Sequence, residues 1–345
     1  VRRSIVPAAL VAVLISLFAV PGTAHAAAGI PLGLPGFGDM IVDEEHGQIY
    51  LSGGPSGNGV VVTSLSGVHI TTITGQYGAT GLAQDADTEV LYIAQAAGDA
   101  ITVIDVHNFQ QVARYSTGAQ TCPTHLARTE NVLWFGYGCD SGTFNGGIGR
   151  IDLGASVPAA ETGKQPDNVR FQRAPMITAR DDVAGPLVAG QPQLSLSTVY
   201  VYDIDASTRE LSRRTSGTAP GSNLNDIALD GYGETLFTGA GSRNAVPAYA
   251  TADLSGRGSY HTGYHPVAVA PSPDDAYLAT GVRSTSDDIY VYEIGGVQPE
   301  RRIDLGNDVV LAARGLAWRP AESWLYAVTV PPAGGAPSLH VLPSL

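Results

Sequence analysis

Few residues in this 345-residue chain are of types that do chemistry in combination, and their spacing sorts them quickly. Cys122 and Cys139 are the only cysteines. A catalytic or metal-binding pair needs further ligand types at short spacing, and none accompanies them. Cross-strand partners in an antiparallel hairpin have residue numbers of constant sum, and these two fall symmetrically about Thr129-Glu130-Asn131, which reads as a turn. The spacing therefore predicts a disulfide across a hairpin, provided the chain meets an oxidising compartment. His261 and His265 are close enough to share a divalent metal ion and are the candidates for one, although a metal site generally needs a third or fourth ligand. Asp85-Ala86-Asp87-Thr88-Glu89 and Asp287-Asp288 look like calcium loops but lack the required glycine and terminal glutamate spacing, which leaves them as solvated turns. Neither a G-x-S-x-G elbow nor an H-E-x-x-H helix occurs. What remains is a dispersed polar group, Asp39, His125, Asp226 and Arg314, whose worth depends on whether the fold gathers it.

The elements that must position these residues are short. Forty-two glycines and 22 prolines break up a chain that is 44% hydrophobic, and no amphipathic helical periodicity follows the first residues. Instead an apolar pair recurs: Ile49-Tyr50, Leu91-Tyr92, Leu133-Trp134, Leu187-Val188, Leu236-Phe237, Tyr277-Leu278 and Leu325-Tyr326. The steps between successive pairs are 42, 42, 54, 49, 41 and 48 residues, the period of a propeller blade, and only the third step requires an insertion. A further strand follows each pair: residues 60–62, 101–105, 148–152, 199–203, 248–253, 289–293 and 339–342, several closing on an acidic residue. A run of small residues precedes each pair, near Asp39, Gly81, His125, Ile177, Asp226, Val267 and Gly315, as suits strands crowded around a central axis. The seventh unit ends before its fourth strand, and residues 29–36 have no other assignment. They are expected to supply that strand and close the ring. Strict alternation in Val199-Tyr200-Val201-Tyr202 and Ile289-Tyr290-Val291-Tyr292 puts tyrosines on one face of a strand, where packing between blades is the expectation over carbohydrate stacking.

The first residues read as a targeting segment. Arg2 and Arg3 precede an uncharged, mostly apolar stretch from Ser4 to Val20, then Pro21-Gly22 and the small-x-small pattern Ala24-His25-Ala26. A signal peptide over residues 1–26 is expected, with a single domain over 27–345, because the apolar stretch is shorter than a membrane span. The arginine pair does not decide between general and twin-arginine export. Without the leader the net charge moves from −13 to −15, and Lys164 is the sole lysine. Such a surface repels nucleic acid and anionic lipid, so neither is expected as a partner.

These units resemble the YVTN-repeat (40-residue repeat) β-propeller family, of the kind found in exported actinobacterial proteins. Residues 91–106, LYIAQAAGDAITVIDV, and residues 263–280, GYHPVAVAPSPDDAYLAT, carry the resemblance, which extends over roughly residues 39–342. It is clear in the second and sixth units and faint in the fourth and fifth. It implies an all-β, seven-bladed propeller of four-stranded antiparallel blades and no single activity. In that fold Asp39, His125, Asp226 and Arg314 would ring one entrance of the central tunnel, where ligand sites favour a few convergent polar groups. A wet tunnel lined with whatever polar residues fit is the plainer reading.

No catalytic constellation is defined, so the expectation is a secreted or cell-wall-associated binding scaffold, monomeric, without a cofactor, recognising a protein or glycan at the cell surface. The alternative is a lactonase-like or other metal-assisted hydrolase at the tunnel mouth. It requires Asp39, His125, Asp226 and His265 to approach one point, with the ion acting as Lewis acid.

Overall fold

The computed structural model describes residues 23–25, 28–140, 144–180, 185–320 and 323–343. Residues 1–22 and the cleavage position after Ala26 lie outside them. The described residues contain no helix. They form seven antiparallel four-stranded sheets in a ring, a seven-bladed β-propeller.

The repeat dictates this architecture through burial. Each second strand is sandwiched between neighbouring blades and is apolar on both faces. Leu91, Tyr92, Ile93 and Ala94 of Val90–Gln95 are all buried. The apolar clusters accordingly lie between blades. Tyr50, Val60 and Val62 of blade one pack on Leu82, Leu91 and Ile93 of blade two. Outer strands have one exposed face and are polar, as in Gln111–Ser116. The alternating tyrosines follow the same rule: Val199 and Val201 face blade five, while Tyr202 faces blade three beside Trp134 and Phe171. The long third step is an insertion before Met176–Ala179, and it delivers Phe171 to that seam.

The acidic residues near the ends of third strands are turn formers. Asp105 Oδ1 accepts the N–H groups of His107 and Asn108, and Asp205 Oδ1 accepts those of Ser207 and Thr208. Hydrogen bonds, first from the Ser207 hydroxyl, hold the Asp205 carboxyl well below the usual range. Blade five departs from the expected limits. Its third strand is Ala245–Ala250, not 248–253, and Asp253 caps the following turn through Ser255 N–H. Its ladder to the second strand stops at Ala248, next to Pro247, which has no N–H to donate.

The ring closes as the sequence predicts. Ile30–Pro31 forms the outer strand of blade seven, with Ile30 opposite Leu339 and Pro31 opposite Ser338. Leu32 and Leu34 then bury themselves among Tyr326, Val328 and Leu339 of blade seven and Ile49 and Leu51 of blade one. Thr23–His25 adds a parallel fifth strand to the edge of blade six, along Arg302 to Asp304.

Candidate functional site

In each blade the innermost strand starts at one face of the ring and runs along the tunnel. Asp39, His125 and Asp226 stand at or near the starts of the innermost strands of blades one, three and five. Arg314 comes from Val310–Trp318 of blade seven, whose register jumps between Leu311 and Leu316. Arg314 sits in this bulge at φ 60°. An extra stretch of backbone re-aims its side chain into the tunnel.

The Arg314 guanidinium brings together two of the other three residues nominated from sequence. Arg314 Nη2 donates to Asp39 Oδ2 at 2.8 Å, and Nη1 lies 2.9 Å from His125 Nδ1. Desolvation, followed by the charge of Arg314, lowers the His125 pKa well below its ordinary value. His125 is therefore a neutral acceptor at Nδ1 and carries its proton on Nε2. Asp226 shares the same cavity of about 300 Å³ with Asp39 and Arg314. Its carboxylate is spent on backbone: Oδ1 accepts Ile227 N–H and Oδ2 accepts Val269 N–H of blade six. Asp39 does the equivalent between blades one and two, accepting Met40 and Leu82 N–H. Burial pushes the Asp226 pKa up to about 7, against the opposing pull of Arg314 and the two backbone donors.

Above this constriction the tunnel widens into a mouth of about 550 Å³. Phe37, Pro55, Ala97, Met176 and Leu224 supply apolar wall, and Asp140 and Arg173 pair on it at 3.0 Å. The Cys122–Cys139 disulfide lines it too, with its Cα atoms 5.0 Å apart. The two cysteines extend the hairpin formed by Pro123–Thr129 and Val132–Tyr137, whose tip is at Glu130-Asn131 as the spacing predicts.

The metal candidates fare differently. Among the described residues, neither His261 nor His265 belongs to a set of three His, Cys, Asp or Glu ligand atoms lying within 4.8 Å of one another. Asp39, His125, Asp226 and His265 do not form such a set either. The point where Asp39 and His125 meet is held by a cation already, the Arg314 guanidinium. One such set does exist, His46, Glu89 and His107, on the opposite face of the ring, and sequence reasoning passed over it. The readable signal was the 43-residue offset of His46 and Glu89, one blade period, which stacks the first turns of adjacent blades.

No family model matches the sequence, and no curated protein does. Solved structures do match in three dimensions. The Cps50 (Swd1) β-propeller domain of Myceliophteria thermophila superposes with a TM-score of 0.67 at 14% identity, covering 89% of this chain and 96% of that one. Hydrazine synthase of Kuenenia stuttgartiensis gives 0.61 at 18% identity over 86% and 94%. A chain of a mitotic checkpoint complex gives 0.62 at 12% identity over 100% and 99%. At such identities the likeness carries the fold and no site, and the fold it carries is the β-propeller.

Proposed function

We propose that the chain is an exported binding scaffold whose tunnel mouth takes up a segment of a protein partner at the cell surface. The mouth is the observation that carries this reading: a concave, largely apolar space with a few polar groups at its rim, of the size that binding sites use. The disulfide and the Asp140–Arg173 pair stiffen the rim, which lowers the ordering cost of binding. Tyr77, 56% exposed, lies where its carbonyl accepts Ala97 N–H, and so offers an amphipathic ring beside the mouth. A glycan would call for several flat aromatic faces, whereas Phe37 is the one Phe, Tyr or Trp among the residues lining the mouth. Export rests on the leader-like first residues and on the resemblance of residues 91–106 and 263–280 to YVTN repeats.

Photo-crosslinking to native cell envelopes tests the reading, with the reactive group at Ala97 on the mouth or at Ser66 on the opposite face. A discrete protein adduct is expected from Ala97 and not from Ser66. Tyr77→Ala combined with Arg173→Glu should weaken retention on envelopes by about tenfold or more, as loss of a central anchor does. Equal labelling from both faces would overturn the assignment. Chelator-sensitive turnover of lactones or esters by the purified chain would replace it with the hydrolase.

A further inference from the structure

We propose that His46, Glu89 and His107 bind one divalent transition-metal ion of the zinc type, clipping blade one to blade two on the face opposite the mouth. The three ligands come from three turns. His46 lies between Met40–Asp43 and Gln48–Ser52, Glu89 between Ala79–Asp85 and Val90–Gln95, and His107 between Ala100–Asp105 and Gln111–Ser116. Val106 N–H donates to Glu89 O at 3.2 Å, which ties the two blade-two turns together. One ligand atom from each residue lies within 4.8 Å of the others, and the two imidazoles meet edge to face at 4.9 Å.

The second observation is the support behind His46. Its Nδ1 is 2.8 Å from Oδ2 of Asp43, a carboxylate only 3% exposed. That same oxygen accepts Gln84 Nε2 of blade two at 2.6 Å, and Oδ1 accepts His46 N–H. A buried carboxylate on one ring nitrogen sets the tautomer, orients the ring and leaves Nε2 as the free donor, the arrangement that commonly stands behind metal-binding histidines. Two imidazoles and a carboxylate suit zinc, with a fourth position open to water. They do not suit calcium, which takes oxygen ligands. Zinc bonds of about 2.0–2.2 Å require donor atoms roughly 3.3 Å apart in a tetrahedral site. His107 Nε2 and Glu89 Oε2 are already 2.9 Å apart, on side chains about half exposed and free to turn toward the supported His46.

The test is zinc titration of the chelator-stripped full chain against a chromophoric chelator, with thermal midpoints read alongside. One equivalent of zinc should bind and raise the midpoint. His107→Ala and Glu89→Gln should each weaken binding by about tenfold or more and abolish the rise, and Asp43→Asn should weaken it by about ten- to a hundredfold. His261→Ala should change nothing. His107 is exposed, so its replacement leaves the fold intact and keeps the outcome decisive. Zinc bound undiminished by His107→Ala, zinc lost on His261→Ala, or no zinc bound at tens of micromolar would each overturn the proposal.

Discussion

Arg314 reaches from blade seven to blade one and blade three across the axis. Arg314→Leu leaves His125 Nδ1 without its donor and Asp39 without its cation. The expected cost is about 2–3 kcal/mol, less than for a fully buried pair because the guanidinium keeps some contact with water. Removing the neighbouring positive charge also raises the His125 pKa toward the ordinary imidazole value, which a proton titration followed by NMR would show. Arg314→Lys should restore little, since a single ammonium cannot serve two acceptors in the planar fork geometry. Asp226 makes a pH prediction. Its folded pKa, about 7, stands above the unfolded value of 3.8, so the folded chain holds this proton longer. That contribution to stability is complete below about pH 4 and is lost as the pH rises through about 7, by on the order of 4 kcal/mol at most. His125 acts in the opposite sense, because its lowered pKa costs stability as the pH falls below the free imidazole value. Asp226→Asn should therefore flatten the loss between pH 4 and 7 in denaturant titrations and leave the acid-side loss from His125 in place.

At the scale of strands and hairpins, the Cys122–Cys139 bond closes a 17-residue separation beside the mouth. Replacing both by serine should cost up to about 3 kcal/mol in the loop-closure account and lower the thermal midpoint without altering the blade count. Thiol titration of the unfolded, unreduced chain should find no free thiol. The seam between blades three and four gives a second test. A Cβ built on Gly136 would lie 2.0 Å from the carbonyl oxygen of Pro175, backbone against backbone. Gly136→Ala must push the insertion away from Val132–Tyr137, and a loss of about 1–3 kcal/mol is expected in denaturant unfolding. These elements were legible to unequal degrees. The disulfide could be read because a hairpin's register is arithmetic on sequence numbers. That Asp39 and His125 face the same end of the tunnel could be read because they hold one position of the repeat, whereas Arg314 falls in the register jump between Leu311 and Leu316, which the repeat does not predict. That Asp226 would spend its oxygens on Ile227 and Val269 could not, since residue type says nothing about which backbone donors a carboxylate will find. Blade five was misplaced because apolar alternation runs on through Ala250 while Pro247 ends one ladder early. The His46, Glu89 and His107 set escaped because its members lie in three separate turns, and only the stacking of blades makes them neighbours.

For the molecule as a whole, stability should hinge on the closing blade. Residues 29–36 contribute two ladder pairs, the bond from Leu32 N–H to Pro337 O, and the buried side chains of Leu32 and Leu34. Burial of the two leucines is worth about 3–6 kcal/mol, so deleting the eight residues should lower the thermal midpoint by on the order of ten degrees. An unchanged midpoint would show that the ring holds without them. The same seam bears on how the protein is made. Ile30 leaves the ribosome well before its partner Leu339, which comes more than 300 residues later. A blade built from segments so far apart cannot assemble until Leu339 has been made, and a contact so distant in sequence forms slowly because its loop entropy must be met first. Until then Ile49 and Leu51 of blade one lack the cover of Tyr326, Val328 and Leu339. Any chain that stops short of Leu339 keeps that apolar edge on display, so whether translation has passed the closing blade is written on the surface of the nascent molecule, where a chaperone or protease can read it.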